Sequence, residues 1–249
     1  MSDATQARVA LVAITKHGVE LARRLAPLLP EADVIVAEKF VAQVSGLSGA
    51  VRPYAGALSA RIGDLFAAYD QIVFCVSLGA VVRLIAPYLK SKDEDPGVLV
   101  LDDAGEYVIP VLSGHVGGAN AYAEKIAVLL GATPVLTTAS DVGRTIPVDI
   151  LGRELGWRVE APKINITRVS AHVVNGEPVA FVQEAGSRRW WTRSTALPDN
   201  ILRFERFEDV RLDDVRAVLW VTRRDVPAAL WEKLAERLVV YRPPEGQGL

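Results

Sequence analysis

The chain has 249 residues, of which half are hydrophobic and 23% are charged, and its formal net charge is −2. This composition excludes an intrinsically disordered chain and offers no basic field for nucleic acid. No apolar run approaches the roughly 20 residues that span a membrane, and residues 1–7 lack the apolar core of a signal peptide. We therefore expect a cytoplasmic protein of one large or two modest domains, without nucleic-acid or membrane partners.

Short apolar runs alternate with amphipathic segments through the first part of the chain, which predicts an open α/β sheet. Strands are predicted at residues 9–14, 34–37, 72–76, 98–101, 107–112 and 134–136. Helices are predicted at 16–29, 58–69, 78–89 and 119–130, while 40–53 are expected to be loop and 102–105 a hairpin turn. Together these elements predict a three-layer α/β/α domain with a mostly parallel sheet, residues 1–145.

The pattern changes near Gly156, where glycine becomes sparser and tryptophan and arginine become more frequent. Helices are predicted at 147–156, 163–174 and 228–237, and strands at 179–183, 189–193, 201–207, 218–222 and 239–241. We predict a smaller mixed α/β or α+β domain at 146–242, followed by a tail at 243–249. Residues 188–193 would form either a basic aromatic patch or a solvated edge strand that carries tryptophans to the core.

Cysteine and histidine are too sparse to predict a metal centre. Cys75, the only cysteine, lies in an apolar run and is expected to be a small core residue rather than a nucleophile. The three histidines, His17, His115 and His172, lack the spacing of zinc ligands. We predict no metal site belonging to the protein itself.

Polar turns follow several predicted strands. The richest turn is residues 113–120, which holds three glycines (Gly114, Gly117 and Gly118) together with Ser113, His115 and Asn120. Other turns contain Thr15, Gly79 and the hydroxyl-rich run 137–141, with Thr137, Thr138 and Asp141. Because carboxyl ends of parallel strands meet at one sheet edge, we expect these turns to share one cleft. The sequence of each turn is also typical of an ordinary helix cap or tight turn that has no role in function.

Arg83 is the unusual charge of the first domain. It lies near the start of a predicted helix, where a positive charge opposes the helix dipole. A facing anionic ligand would explain it, as would a side chain that simply extends into solvent.

The chain resembles the cobalt-precorrin-5A hydrolase (CbiG-type) family of anaerobic cobalamin biosynthesis. The resemblance is carried by residues 79–83, by 95–102, and above all by 112–120; residues 137–141 and 175–179 extend it. The resemblance covers roughly residues 8–242. A nucleotide-binding domain that uses the glycine turn for phosphate is a less favoured interpretation, because the sequence has neither a GxGxxG motif nor the lysine of a P-loop.

The resemblance implies an activity: opening of the ring A lactone of a cobalt-containing tetrapyrrole, with release of acetaldehyde, so that cobalt arrives with the substrate and no cofactor is needed. Such chemistry requires a base for water, donors for an oxyanion and cations for the carboxylates of the substrate. We assign His115 as base or acid, with Ser113 orienting water or substrate and Asp102 orienting His115. Substrate-binding residues are then predicted in the polar turns: Thr15, Gly79, Arg83, Gly114, Gly117, Gly118, Asn120, Thr137, Thr138 and Asp141.

Family members usually carry a third, C-terminal module that would begin near residues 241–244. The resemblance therefore implies that this module is encoded separately, supplied by a partner, or dispensable. Precorrin methyltransferases of neighbouring steps and a second copy of the chain are further expected partners. The alternative function is a non-catalytic corrinoid-binding or scaffold module, because only one histidine lies in the best turn and no nucleophile–base pair is evident.

Overall fold

The computed structural model describes residues 7–47, 49–139, 143–193 and 195–246, and Asp141 lies outside these ranges. The chain forms two compact units, the first ending at Leu136 and the second beginning at Thr137. The domain bounds drawn from the sequence at 145 and 242 stay predictions.

The first unit is built on a seven-stranded sheet in the order β3-β2-β1-β4-β5-β6-β7. Its strands are β1 (Val9–Ala13), β2 (Ala32–Ala37), β3 (Val51–Tyr54), β4 (Gln71–Cys75), β5 (Gly97–Leu101), β6 (Tyr107–Leu112) and β7 (Thr133–Pro134). Strands β1 to β5 are mutually parallel, whereas β6 is antiparallel to β5 and parallel to β7. Every residue of β1, β4 and β5 is buried, as expected for strands covered on both faces.

Helices cover both faces of this sheet. They are α1 (Lys16–Leu25), α2 (Ile62–Ala68), α3 (Leu78–Ile85) and α4 (Ala119–Leu130). Side chains of α1 and α4 share one buried cluster with the sheet, and those of α2 and α3 share the other. The predicted three-layer α/β/α architecture with a mostly parallel sheet is therefore confirmed.

Local sequence signals account for the helix ends. The hydroxyl of Thr15 accepts a hydrogen bond from the Gly18 N–H at 2.9 Å and so caps α1. Gly131 ends α4 in the left-handed conformation, with φ of 68°. The segment predicted as loop at 40–53 is more ordered than expected, because it contributes the end of a 3-10 helix (Glu38–Gln43) and the edge strand β3.

The second unit contains a five-stranded sheet in the order β10-β9-β11-β12-β8. The strands are β8 (Arg158–Glu160), β9 (Val179–Gln183), β10 (Ile201–Phe204), β11 (Ala217–Val221) and β12 (Leu238–Arg242). All are parallel except β8, which pairs antiparallel with β12. Two helices, α5 (Lys163–Val174) and α6 (Ala228–Lys233), pack with it, so this unit is also α/β.

Two predictions in the second unit were wrong. Residues 147–156 contain turns and a 3-10 helix (Arg153–Leu155) rather than an α-helix, because Gly152 and Gly156 have φ of 72° and 75°. Residues 189–193 form a loop instead of a strand. There the indole N–H of Trp190 donates to Gln183 and that of Trp191 to the Thr195 carbonyl, which fixes both rings without strand pairing.

Candidate active site

The glycine turn, residues 113–118, joins β6 to α4 at the amino edge of the first sheet. Because β6 runs antiparallel to β5, its last residue, Leu112, pairs with Val98 near the start of β5. The side-chain amide of Gln71, the first residue of β4, donates to the Gly117 carbonyl at 2.5 Å. The turn thus packs against the beginnings of β4 and β5.

Backbone hydrogen bonds close the turn onto α4. The N–H of Gly118 donates to the His115 carbonyl at 3.0 Å, that of Ala119 to the Ser113 carbonyl at 3.2 Å, and that of Asn120 to the Gly114 carbonyl at 3.0 Å. The N–H of Gly118 is therefore occupied and cannot join an oxyanion cradle. Within the described part of the chain, the N–H of Gly117 meets no acceptor, so it is available as a donor to an oxyanion.

Gly117 is required by close packing. A Cβ at this position would lie 2.4 Å from Ser113 Cβ, 2.8 Å from the Ser113 carbonyl oxygen and 3.2 Å from the backbone nitrogen of Gly97. The first two distances are shorter than any ordinary contact between such atoms, and the third is tighter than most. The turn therefore lies against β5 at a distance that only glycine permits.

Ser113 carries backbone strain. Its φ is 54°, a left-handed value that costs a residue other than glycine roughly 1–2 kcal/mol. Its hydroxyl oxygen is buried without a hydrogen-bond partner among the described residues, and so is Oε1 of Gln71. Strain and unsatisfied buried oxygens persist only where the surrounding structure enforces them, and they concentrate at functional sites.

His115 stands between these two features, two residues after Ser113 and two before Gly117, and its side chain is half-buried. The side chain of Asp95, 8% exposed, lies just before β5 and accepts hydrogen bonds from the Lys90 N–H at 3.1 Å through both carboxylate oxygens. It thereby holds the loop that carries the exposed Lys90 and Lys92. This edge of the first sheet therefore carries an imidazole, a backbone donor and, on the loop before β5, two exposed lysines.

Other predicted site residues lie at the opposite, carboxyl edge of the sheet. Thr15 follows β1, Gly79 and Arg83 lie on α3 after β4, and Asp102 follows β5. Arg83 Nη1 donates to the Gly79 carbonyl at 2.9 Å, which ties this side chain back along its own helix. The prediction that these turns share one cleft with His115 was therefore wrong.

Asp102 cannot orient His115. Its carboxylate accepts hydrogen bonds from the Tyr107 N–H at 2.7 Å and from the Ala104 N–H at 3.2 Å, so it shapes the β5–β6 turn. Strand β5, from Gly97 to Leu101, separates it from the glycine turn by four residue steps of roughly 3.3 Å each. Asp102 is a turn residue, which was the simpler interpretation of its sequence context.

Asn120 is buried in the first turn of α4 beside Gly114, whose Cβ position would be 2.6 Å from Asn120 Oδ1. Thr137 and Thr138 belong to the second unit, and Asp141 lies outside the described residues. The structure therefore brings together Ser113, Gly114, His115 and the glycines that follow, and it leaves the roles of the hydroxyl run as predictions.

Sequence reasoning missed Gln71 and Gly97 as parts of this site. A Cβ on Gly97 would lie 2.1 Å from Gln71 Oε1, so this glycine makes room for the amide that holds the turn. A glutamine that opens a fully apolar strand was the available signal, since a buried amide needs a partner.

The described residues contain no cluster of three or more histidine, cysteine or acidic side chains suited to a metal ion. Among the same residues, no helix combines the length and hydrophobicity that crossing a bilayer requires. Cys75 is fully buried in β4, where burial, with a smaller contribution from Asp103, raises the pKa of its thiol to about 12.

Comparison with known proteins assigns the two parts of the chain to two family models. Residues 60–141 match the N-terminal region of the cobalamin synthesis G proteins, and residues 146–243 match the central region of cobalamin biosynthesis proteins. The first match includes the whole glycine turn, and the second includes the sheet of the second unit.

Two curated relatives are named cobalt-precorrin-5A hydrolase. The Priestia megaterium protein is 44% identical over 94% of this chain and 62% of its own length. The Salmonella typhimurium protein is 32% identical over 93% of this chain and 64% of its own length. The chain thus spans a little under two thirds of the length of each of these two relatives.

A crystal structure of a cobalamin biosynthesis protein G homolog from Sulfolobus solfataricus also matches, with 21% identity and a TM-score of 0.48 over 94% of this chain and 60% of that chain.

Proposed function

We propose, since the chain belongs to the CbiG family of cobalamin biosynthesis proteins, that it supplies the N-terminal and central modules of a cobalt-precorrin-5A hydrolase. The observation that carries this proposal is the 44% identity to the Priestia megaterium cobalt-precorrin-5A hydrolase over 94% of the chain. The substrate is then a cobalt-containing tetrapyrrole, and cobalt enters as part of that substrate.

The reaction consumes water at the ring A lactone. Water adds to the lactone carbonyl and the acyl C–O bond breaks, which leaves a carboxylate on the macrocycle and a hydroxyl on the two-carbon fragment. That hydroxyl then loses its proton and becomes the carbonyl of acetaldehyde as the C–C bond to the macrocycle breaks, and the electron pair of that bond stays with the macrocycle, which takes up a proton. We place this chemistry at the glycine turn, because its histidine and its strained serine lie together at one sheet edge. His115 takes the proton of the attacking water and returns it to the departing oxygen.

The Gly117 N–H is the donor that this proposal assigns to the oxyanion of the tetrahedral intermediate. The Ser113 hydroxyl orients the water, which would satisfy the hydrogen-bonding capacity that the protein leaves unmet. Lys90 and Lys92 attract the substrate's carboxylates. Thr15, Gly79 and Arg83 take no direct part, since they lie at the other edge of the sheet.

Release of acetaldehyde tests the proposal. Purified chain is incubated with cobalt-precorrin-5A, and acetaldehyde is followed by coupled reduction with alcohol dehydrogenase and NADH. We expect release that depends on the chain, either alone or with a separately expressed third module. Absence of release under both conditions, from chain that binds the substrate, would instead support a non-catalytic corrinoid-binding module.

A further inference from the structure

The second sheet has a crevice of its own at its carboxyl edge. From β9 the chain passes to β10 on one side and later to β11 on the other, so the β9–β11 junction is a topological switch point. In open α/β sheets, ligands bind outside the carboxyl ends of the strands at such points. A cavity of about 460 Å³ lies there, lined by the residues that follow the three strands: Glu184, Glu205, Arg206, Thr222, Arg223 and Arg224.

Glu184 lies at the floor of this cavity, where its hydrogen bonds hold the surrounding segments in place. Its side chain is only 12% exposed, and it accepts hydrogen bonds from the Thr222 hydroxyl at 2.8 Å, the Phe207 N–H at 3.0 Å and Arg224 Nη1 at 3.0 Å. Three donors satisfy the hydrogen-bonding capacity of this mostly buried carboxylate. It joins the ends of β9 and β11 to the segment after β10, so the cavity has a fixed floor.

Arg224 is a structural member of this floor. Its second nitrogen, Nη2, pairs with Glu208 at 2.8 Å, and its guanidinium lies 5.5 Å from the ring centroid of Trp220. The hydrogen bond from Arg224 lowers the pKa of the exposed Glu208 carboxyl below its ordinary value. With carboxylates on both sides, Arg224 has little charge to offer a ligand.

Arg206 and Arg223 are the cations at the rim. The Arg206 side chain is 71% exposed, and its contact with Glu208 is a loose 3.6 Å. Arg223 is exposed and is anchored by a hydrogen bond from Nη2 to the Pro244 carbonyl at 2.8 Å. Guanidinium groups held over a crevice suit carboxylates, which they can bind through two parallel hydrogen bonds.

A buried glutamine fixes the neighbouring wall. Gln183 ends β9, and its Nε2 donates to the carbonyl oxygens of Gly186 at 3.2 Å and Ser187 at 3.0 Å. Its Oε1 accepts from the Trp190 indole at 3.0 Å. A second cavity, about 260 Å³, continues past this wall with Arg188 and Arg203 and shares Glu205 with the first.

We infer that the crevice at the carboxyl edge of the second sheet binds carboxylate arms of a corrinoid, with Arg206 and Arg223 as the ligand-binding cations. The cavity volumes suit side arms rather than the macrocycle. That the ligand is a corrinoid rests on the proposed function, whereas the preference for carboxylates follows from the arginines alone.

Isothermal titration with two corrinoids tests this inference. Dicyanocobyrinic acid carries free carboxylate arms, and dicyanocobinamide carries the same ring with amidated arms. We expect the chain to bind the acid and to bind the amide more weakly. Arg206→Gln combined with Arg223→Gln should weaken acid binding by about tenfold, and Arg206→Gln alone by a few-fold, as for partly solvated ion pairs.

Arg216→Gln is the matched control, since Arg216 is an exposed arginine immediately before β11 and Arg223 follows the same strand. Its affinity for the acid should equal that of the unmodified chain. Equal affinity of the double variant, or no binding of the acid by the unmodified chain, would overturn the inference. Acetaldehyde release is measured separately, so carboxylate binding without hydrolysis would refute the proposed function and leave this site standing.

Discussion

Replacing Gly117 by alanine perturbs the centre of the proposed site with a single methyl group. The added Cβ would lie 2.4 Å from Ser113 Cβ, where carbon atoms normally stay about 3.5–4.0 Å apart, so the turn must move by about 1 Å. The backbone atoms of Ser113 and Gly97 also obstruct the methyl group and cannot rotate away. We therefore expect a cost near the upper end of overpacking, about 2–3 kcal/mol.

Urea unfolding at equilibrium and thermal unfolding measure this cost, and acetaldehyde release measures its effect on chemistry. We expect a melting temperature about 5–10 °C lower and a rate about a hundredfold lower, because a displacement of about 1 Å suffices for such a loss. Gly79→Ala is the control, since its Cβ would meet only the end of the long Arg83 side chain at 3.3 Å, which can shift by a few tenths of an ångström. Equal stability of the Gly117 and Gly79 variants would refute the packing argument.

Three further predictions follow from individual contacts. Cys75, with its raised thiol pKa, should resist Ellman's reagent in the folded chain at pH 8 and react after urea unfolding; rapid reaction of folded chain would contradict its burial. Thr15→Ala removes the hydrogen bond from the Gly18 N–H that caps α1, and it should lower the free energy of unfolding in urea by about 1 kcal/mol. Acetaldehyde release should not change, because Thr15 lies at the carboxyl edge of the first sheet; a large loss of activity would contradict the placement of the reaction at the amino edge. Burial and the hydrogen bond to Asp33 raise the pKa of Tyr69 from 10.0 to about 12. Above pH 10, the folded chain therefore keeps a proton that the unfolded chain releases. The stability that this proton provides is fully present below pH 10 and should fall by about 1–2 kcal/mol as the pH rises toward 12. Between pH 9 and 11, the free energy of unfolding should therefore decline less in Tyr69→Phe than in the unmodified chain, and equal declines would contradict the raised pKa of Tyr69.

The sequence contained the signal that locates the glycine turn, although the prediction did not use it. The hairpin turn at residues 102–105 was predicted correctly, and a hairpin makes its two strands antiparallel. The end of β6 must then lie beside the start of β5, at the edge opposite to Thr15 and Gly79. The rule that strand ends gather at one edge applies only among parallel strands, and here it fails at β6.

Elements with strong periodicity were predicted well, and irregular ones were not. Residues 163–174 form α5 with the predicted limits, because apolar positions recur at helical spacing up to the Asn175–Gly176 stop. Strand β3 was missed because Arg52 and Pro53 are exposed and interrupt its apolar pattern at an edge of the sheet. The cavity at the ends of β9, β10 and β11 was not predicted from the sequence, because its residues lie up to 40 positions apart along the chain and only the order of the strands brings them together.

Hydrolysis at the amino edge of the first sheet is the central claim. His115→Gln and His17→Gln test it directly, since His115 lies in the turn before α4 at the amino edge, whereas His17 lies in the first turn of α1 at the carboxyl edge. Acetaldehyde release should fall by at least about a hundredfold in the first variant, as for loss of a general base, and stay within about twofold in the second. Full activity of His115→Gln in a chain that melts normally would contradict the account.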